Sequence, residues 1–392
     1  MSLDKTIALI CFMALSGCTA KKIEPPQVIA IPTTSASMFQ QAAQLPELED
    51  FFYLDEKQKK DFLTHFNSQA QSTYTAEHRL YNYLQNKLVY FTYEGANNTA
   101  QVALQQLSGN CMTLALLTTA LAKLVNIDVG YQVMYQEPMF DYKDNIFISS
   151  NHIRTYLYKN NDAPKKGEFV LQRAALIIDY FPDSGDVTGE NISPSRFYAQ
   201  LYNNLAADAL LQGDHDKAFF LSQKALQKDA SYTPAVNMIA LMYYRKKAYP
   251  EASQWFDYGM KQDNNQITLL SNYRDLAKKT NNQQLLKRIN QRLLGYNDDN
   301  PYAWLALAID AERNQQFSDA ADYYKKLLDK APYLHNANLA LLRLYLKQQN
   351  YSSAQKIVEQ AMQYAYEPAR LEFYQMKLTA LKQHRKKLEK MD

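Results

Sequence analysis

Small and apolar residues return at a fixed interval along the second half of the chain. From residue 199 the pattern repeats every 34 residues, and polar stretches such as "QGDHDK" and "RNQQFSD" divide each unit into two helical periods. The recurring small-residue position falls on Ala218, Ala252, Leu286, Ala320 and Ala354. This spacing predicts five helix-turn-helix units over 196–368, followed by a capping helix over 369–392.

The repeat is most complete over 300–332, a unit that holds Trp304, Ala308, Ala320, Tyr324 and Pro332. The period and the small residues between the helices resemble the tetratricopeptide repeat. The unit beginning at Ile267 departs from the pattern, because Arg274 and Leu286 stand where smaller residues are expected. The resemblance implies an all-α solenoid whose concave side binds a peptide or an extended protein segment.

The hydrophobic pattern is different over residues 40–195. Helical periodicity comes first, and after residue 125 the period changes from 3.6 to 2, which predicts strands packed on helices. The stretch "CMTLALLTTALAKLV" is apolar almost all round and predicts a buried helix that begins at Cys111. The predicted helices before it cover 47–70, 76–91 and 98–107, and the predicted strands after it cover 129–135, 151–158 and 169–181.

Three polar side chains fall at informative places in this pattern. If the last two predicted strands pair antiparallel, His152 near the start of one can meet Asp179 near the end of the other. Cys111 lies in the first turn of the buried helix, where the helix dipole favours a thiolate. Gly109, just before it, allows a sharp bend and the close approach of a substrate backbone.

The order Cys111, His152, Asp179 on a helix, a strand and the next strand resembles the transglutaminase-like superfamily, a branch of the papain-like fold. The resemblance covers roughly 95–182. It implies that Cys111 is the nucleophile, His152 the general base and then acid, and Asp179 the carboxylate that orients the imidazole. The implied reaction is attack on an amide or ester carbonyl through a thioester, with water or an amine as the acceptor.

The chain departs from that family in the residues around the predicted triad. His152 is followed by Ile153 and Arg154 where the family commonly has a small residue and Trp, and Pro182 comes three residues after Asp179. Both tryptophans lie in the repeats, so no indole can donate to an oxyanion here. The backbone N–H of Cys111 is therefore expected to act with a side-chain donor, for which Gln105 and Gln106 are the candidates.

Other chemistries find no support in the sequence. The remaining histidines are dispersed, and the sequence has no His-Glu-x-x-His motif, no cysteine pair and no Gly-rich phosphate loop, so we expect neither a metal nor a cofactor. The net charge of +3, from 43 basic and 40 acidic residues, is too small and too dispersed to indicate a nucleic-acid partner. The expected partner is a protein or peptide held by the repeats.

The N-terminus has the pattern of an export signal. Lys5 precedes an apolar run over 7–15 that is too short to span a bilayer, and "LSGC" at 15–18 resembles the lipobox of bacterial lipoproteins. The resemblance implies that Cys18 is acylated and becomes the first residue of the mature protein. We therefore expect a lipid anchor in the bacterial cell envelope, at the outer membrane and facing the periplasm, since Thr19 follows the cysteine.

The predicted organisation has five parts. They are a signal peptide (1–18), a Pro-rich tether (19–38), an α+β papain-like, transglutaminase-like domain (39–195), five tetratricopeptide repeats (196–368) and a capping helix (369–392). The predicted function is that of an envelope-anchored cysteine protease, amidase or acyltransferase whose repeats recruit the substrate. The alternative is an interaction lipoprotein whose transglutaminase-like domain has lost its activity. Exposure of Cys111 in a cleft beside His152 favours the enzyme, and a closed core around Cys111 favours the alternative.

Overall fold

Five α-helices precede the main sheet in the described part of the computed structural model of the protein. The structure describes residues 30–33, 36–40, 45–135, 151–159, 173–180, 182, 186–262, 267–295 and 301–388. The predicted signal peptide with Cys18, and residues 19–29 of the predicted tether, lie outside these ranges. The helices are α1 (Leu48–Phe52), α2 (Glu56–Phe66), α3 (Ala76–Leu88), α4 (Ala100–Gln106) and α5 (Cys111–Leu124).

The single helix predicted over 47–70 is wrong, because the chain breaks between α1 and α2. Tyr53 leaves α1 with an extended backbone, and Asp55 begins α2 as its N-cap. The Asp55 side chain accepts from the Gln58 backbone at 2.8 Å, and the Gln58 side chain accepts from the Asp55 backbone at 3.2 Å. This reciprocal capping box satisfies two backbone donors that would be unpaired at a helix start, which makes a new helix start favourable at this point.

Helix α5 lies at the centre of the N-terminal core. All residues from Cys111 to Ala122 are buried, as expected for a helix that is apolar all round. It packs against α1 to α4 and against the sheet, so both of its sides are covered. The short strands β1 (Thr92–Tyr93) and β2 (Ser108–Gly109) pair in parallel just before α5 and fix the path of the chain into it.

The main sheet has four strands, β3 (Val129–Tyr135), β4 (Asn151–Tyr158), β5 (Ala175–Ile178) and β6 (Val187–Ile192). They are antiparallel in the order β5-β4-β3-β6. The strands predicted over 129–135 and 151–158 are confirmed, and the third is shorter than predicted in its described part. Sequence reasoning missed β6, because "VTGENI" is half polar, contains Gly189 and pairs through an irregular register at the sheet edge.

The remaining helices form five antiparallel pairs and a final helix. The pairs are α6 (Pro194–Leu211) with α7 (His215–Lys228), α8 (Thr233–Arg245) with α9 (Tyr249–Lys261), α10 (Ile267–Lys279) with α11 (Gln283–Gly295), α12 (Pro301–Arg313) with α13 (Phe317–Lys330), and α14 (His335–Lys347) with α15 (Tyr351–Gln363); α16 (Pro368–Leu388) closes the stack. This confirms the predicted repeats. No helix in the described ranges is both long and apolar enough to cross a membrane.

The small residues of the repeat lie where helices pack most closely. Ala218, Ala252, Ala320 and Ala354 are fully buried, whereas Leu286 of the degenerate unit is only partly buried. In the same unit Arg274 is 9 % exposed, and its guanidinium lies 2.9 Å from the Asp310 carboxylate of the next repeat. The larger side chain is accommodated because its charge is paired across the repeat boundary.

Helix α6 belongs to both halves of the protein. Ser193 caps it, so the predicted domain boundary at 195/196 falls inside the helix. At its start, Phe197 and Leu201 are fully buried in the N-terminal core, and the Phe197 ring stacks on Tyr131 at 3.9 Å. The same helix packs against α7 as the first helix of the first repeat. The two halves therefore share a rigid element rather than a linker.

Candidate functional site

Cys111 is the first residue of α5, and the chain reaches it through a strained turn. Asn110 caps the helix, and its side chain accepts from the Thr113 backbone at 2.9 Å. Gly109 has φ +148°, and a Cβ built on it would lie 2.5 Å from Cγ2 of Thr113. Only glycine fits this position, since any other side chain meets both an unfavourable φ and a steric clash. The turn places the Cys111 thiol at the positive end of the helix dipole.

His152 and Asp179 meet across the β4–β5 ladder. The two strands are antiparallel with Thr155 opposite Ile178, which brings the start of β4 beside the end of β5. His152 Nε2 lies 2.7 Å from Asp179 Oδ1, and the imidazole is 2 % exposed while the carboxylate is 23 % exposed. Since a carboxylate only accepts, Nε2 carries the proton of this bond. The other ring nitrogen, Nδ1, is therefore the one that faces the thiol of Cys111.

The protonation of His152 reflects these two neighbours. Burial alone would lower the pKa of His152, but the hydrogen bond and charge of Cys111, followed by those of Asp179, outweigh burial and raise the pKa to about 9. The imidazole is therefore cationic at neutral pH while the thiol faces it. A thiolate beside an imidazolium is the form that a cysteine nucleophile requires.

A cluster of hydroxyl groups holds the helix of Cys111 against the strand of His152. Tyr180, the residue after Asp179, is buried, and its hydroxyl lies 2.6 Å from the Thr118 hydroxyl on α5 and 2.7 Å from the Thr155 hydroxyl on β4. Tyr180 thereby joins the three elements that carry the thiol, the imidazole and the carboxylate. Sequence reasoning missed this cluster, because the sequence does not show which side chain forms a hydrogen bond with a threonine in an apolar helix.

Comparison with known protein families agrees with this arrangement. Residues 60–162 match the family described as the transglutaminase-like superfamily, a stretch that includes Cys111 and His152 and ends before Asp179. This chain contains a transglutaminase-like domain. No curated protein matches the chain at a significant level.

Several solved structures are similar to part of this chain. A TPR protein called YrrB, described as having an unusual peptide-binding site, is 17% identical; the match covers 45% of this chain and 92% of that one, with a TM-score of 0.25. PilF of Pseudomonas aeruginosa is 18% identical; the match covers 50% of this chain and 88% of that one, with a TM-score of 0.29. PilW, described as a type IV pilus biogenesis factor, is 18% identical; the match covers 46% of this chain and 92% of that one, with a TM-score of 0.28. The repeat assignment in this chain rests on its own helix pairs and their register.

A tyrosine that sequence reasoning missed lies close to the thiol of the transglutaminase-like domain. Tyr93 on β1 pairs with Gly109 on β2, two residues before Cys111, and half of its side chain is exposed. Partial burial raises the pKa of Tyr93, and the charge of Cys111 raises it further. The predicted oxyanion donors, Gln105 and Gln106, lie exposed in the last turn of α4 and stay predictions.

The loop before α4 connects the N-cap of α5 to the first repeat. The Asn110 side chain donates to the Gly95 carbonyl at 3.2 Å and to the Asn97 side chain at 3.0 Å. Asn97 in turn donates to Asp208 on α6 at 2.7 Å. Burial raises the pKa of Asp208, while the hydrogen bond from Asn97 opposes that effect. The start of α5 is thus held by groups from both halves of the protein.

A second carboxylate, that of Asp186, lies beside the imidazole of His152 and the carboxylate of Asp179. Ligating atoms of His152, Asp179 and Asp186 lie within 4.8 Å of one another, a spacing that could hold a metal ion. The bond between His152 Nε2 and Asp179 Oδ1 already engages two of these groups. Sequence reasoning did not single out Asp186, because it stands before a strand that the pattern failed to predict.

Proposed function

We propose that the protein is a cysteine hydrolase or acyltransferase that attacks an amide or ester carbonyl. The observation that carries this proposal is the alignment of Cys111, His152 and Asp179, with the imidazole bonded to the carboxylate at 2.7 Å and turned toward the thiol at a helix start. This is the thiolate–imidazolium geometry of thiol catalysis. The repeats are proposed to recruit the protein or peptide that carries the bond.

The proposed reaction has two half-reactions. The Cys111 sulfur attacks the carbonyl carbon, and the oxyanion that forms accepts a hydrogen bond from the Cys111 backbone N–H and from a side-chain donor. The C–N or C–O bond breaks, and the leaving group takes the His152 proton. Water or an amine then attacks the thioester and loses a proton to His152, while the C–S bond breaks and the thiolate returns.

Acylation of the intact protein tests the enzyme reading. The wild-type chain is mixed with an activated ester, and mass spectrometry follows the acyl group on Cys111. We expect His152→Ala to slow acylation by about 10²–10⁴-fold, because the general base and acid is lost. His78→Ala removes an exposed histidine on α3 and is the matched control. An acylation rate that is equal in the wild type and in His152→Ala would contradict the proposal.

One observation favours the alternative of a binding-only protein. The Cys111 residue is only 8 % exposed, so a substrate carbonyl has little direct access to the sulfur. A thiol that serves only as a small apolar residue would resist alkylation by iodoacetamide until the protein unfolds. Circular dichroism shows whether the protein is still folded when Cys111 reacts with iodoacetamide. Alkylation of the folded protein favours the enzyme, and alkylation only after unfolding favours the binding-only protein.

We also propose that the protein is lipid-anchored in the cell envelope, on the strength of "LSGC" at 15–18. Cys18→Ser should abolish incorporation of a labelled fatty acid and leave a precursor of unchanged length, because no thiol remains to be acylated at that position. Cys11→Ser is the control and should be labelled normally. Labelling of the Cys18→Ser chain would refute the anchor.

A further inference from the structure

A line of three hydrogen bonds runs from the first repeat to the helix that begins at Cys111. Asp208 on α6 accepts from the Asn97 side chain at 2.7 Å. The oxygen of the same Asn97 amide accepts from the Asn110 side chain at 3.0 Å. The Asn110 oxygen in turn accepts from the Thr113 backbone N–H at 2.9 Å, which caps α5. Asp208 is thus joined to the N-cap of the helix by two amide side chains.

The carboxylate of Asp208 fixes which way both amides point. A carboxylate only accepts hydrogen bonds, so Asn97 must turn its NH2 group toward Asp208 and its oxygen toward Asn110. Asn110 must then present its NH2 group to Asn97, which leaves its oxygen for the backbone donors at the start of the helix. One acidic group on a repeat therefore determines which atom of the Asn110 side chain caps α5.

The loop that carries Asn97 is fixed against the start of α5 by bonds that do not involve Asp208. The Thr113 hydroxyl accepts from the Asn98 backbone N–H at 2.9 Å and donates to the Ala96 carbonyl at 3.1 Å. Loss of the Asp208 carboxylate would therefore free the orientation of the amides without detaching the loop. The expected effect is on the geometry of the helix start rather than on the fold.

We propose that Asp208 is a positioning residue for the reaction at Cys111, and that it acts through Asn97 and Asn110. The proposal rests on the proposed function, because it concerns the same thiol. The backbone N–H that is proposed to stabilise the oxyanion lies in the peptide bond between Asn110 and Cys111. Since this bond is planar, the setting of Asn110 fixes the direction of that N–H. The first repeat thereby supports the chemical step itself.

The rate at which an activated ester acylates Cys111 of the full-length chain tests this role. The ester concentration is varied, and mass spectrometry gives the maximal rate and the half-saturating concentration. We expect Asp208→Ala to lower the maximal rate by about tenfold, the effect of one hydrogen bond to a charged group, and to leave the half-saturating concentration unchanged. Asp208→Asn keeps an acceptor oxygen and should stay within about threefold of the wild type, because a neutral acceptor is about half as strong.

A double-variant cycle distinguishes positioning from a general loss of stability. If Asp208 acts through Asn97, the variant that combines Asp208→Ala with Asn97→Ala should be no slower than Asn97→Ala alone. The matched control is Asp214→Ala, which removes the carboxylate that caps α7 and should keep the wild-type rate. Circular dichroism checks that each variant is folded. Multiplied effects in the double variant, an unchanged rate in Asp208→Ala or an equal slowing by Asp214→Ala overturns the role of Asp208.

Hydrogen exchange separates this role from the proposed function. Asn110 accepts from the Thr113 amide, and NMR measures the exchange of this proton in the folded chain whether or not Cys111 reacts. We expect Asp208→Ala to speed the exchange by about tenfold and Asp214→Ala to leave it unchanged. If Cys111 of the wild type is acylated but neither its rate nor the Thr113 exchange responds to Asp208→Ala, only the role of Asp208 fails. If the wild type forms no acyl-enzyme, the proposed function fails, and the positioning role fails with it.

Discussion

At the scale of single residues, the site depends on groups whose properties are set by their immediate neighbours. His152 is buried, which disfavours its charge, yet Cys111 and Asp179 stabilise that charge and the pKa is raised from 6.5 to about 9. Asn110 caps α5, and Tyr180 joins the three elements that carry Cys111, His152 and Asp179. Each neighbour acts through one or two hydrogen bonds, so single substitutions test them.

The raised pKa of His152 predicts how stability varies with pH. Because the folded pKa lies above the unfolded one, the residue stabilises the fold fully below about pH 6.5, and this contribution is lost as pH rises through about 9. Urea unfolding of the wild type and of His152→Gln should therefore differ most at pH 6 and least above about pH 9.5. Asp179→Asn should lower the His152 midpoint measured by NMR. A stability difference that grows with pH would contradict the assignment.

The turn at Gly109 predicts a sharp difference between two glycines. Gly109→Ala must displace Thr113 and adopt an unfavourable φ, so it should lower the free energy of unfolding by about 1–3 kcal/mol and slow Cys111 acylation. Gly95→Ala meets nothing within 4 Å and serves as the control. Urea denaturation and the acylation assay measure both effects. Equal stability of the two variants would mean that the Gly109 turn is not strained in solution.

At the scale of elements, one recurring turn geometry joins the two helices of each repeat. The second residue after the first helix of each repeat has a left-handed backbone, at Gly213, Lys247, Asn281, Gln315 and Gln349, again 34 residues apart. The next backbone N–H donates to the carbonyl five residues earlier, for example Ala248 to Tyr243 at 2.9 Å. This is the Schellman arrangement, which satisfies the last carbonyls of a helix.

Four of these five turns carry a side chain where glycine would relieve strain. The left-handed conformation destabilises a non-glycine residue by about 1–2 kcal/mol. Glycine avoids that cost, but its larger loss of backbone entropy on folding destabilises the protein by about 0.5–1 kcal/mol. Lys247→Gly and Gln315→Gly should each raise the free energy of unfolding by about 0.5–1 kcal/mol. Asn281→Gly should gain less, because asparagine tolerates this conformation. Thermal and urea unfolding measure the free energy of unfolding of the three variants. A decrease in all three would contradict the turn assignment.

At the scale of the whole molecule, the two halves are packed as one unit around α6. Phe197 fills the core beneath the sheet, Asp208 further along α6 accepts from the Asn97 loop, and Lys224 on α7 pairs with Glu47 at 2.6 Å. Residues of the last two repeats and of α16 line a cavity together with Asp186.

The shared helix predicts that the two halves unfold together. Phe197→Ala removes a fully buried ring that stacks on Tyr131, so it should cost about 3–5 kcal/mol. We expect tyrosine fluorescence and helical circular dichroism to report the same lowered unfolding midpoint. Phe220→Ala, a partly buried ring on α7, is a milder control. Loss of the sheet signal with unchanged repeat unfolding would show that the halves are independent.

Much of this organisation could be predicted from the sequence, for physical reasons that are local. The repeat register is visible because each unit contacts mainly its neighbours, so the same positions must be small every 34 residues. Helix α5 and strands β3 and β4 are visible because burial imposes their hydrophobic period. The meeting of His152 with Asp179 was predicted for an antiparallel pairing of the last two predicted strands, which a short connection between them favours.

Other features were decided by the tertiary structure alone. The break between α1 and α2 depends on a capping box that competes with a continuous apolar period. Tyr93 reaches the site through a two-residue strand pair that is too short to leave a pattern. Asp186 meets the last repeats because small rotations accumulate along the solenoid, and a sum over five repeats cannot be derived from the residues of any one of them. Sequence thus determined the elements and the pairing of His152 with Asp179, and the tertiary packing decided which other residues lie beside them.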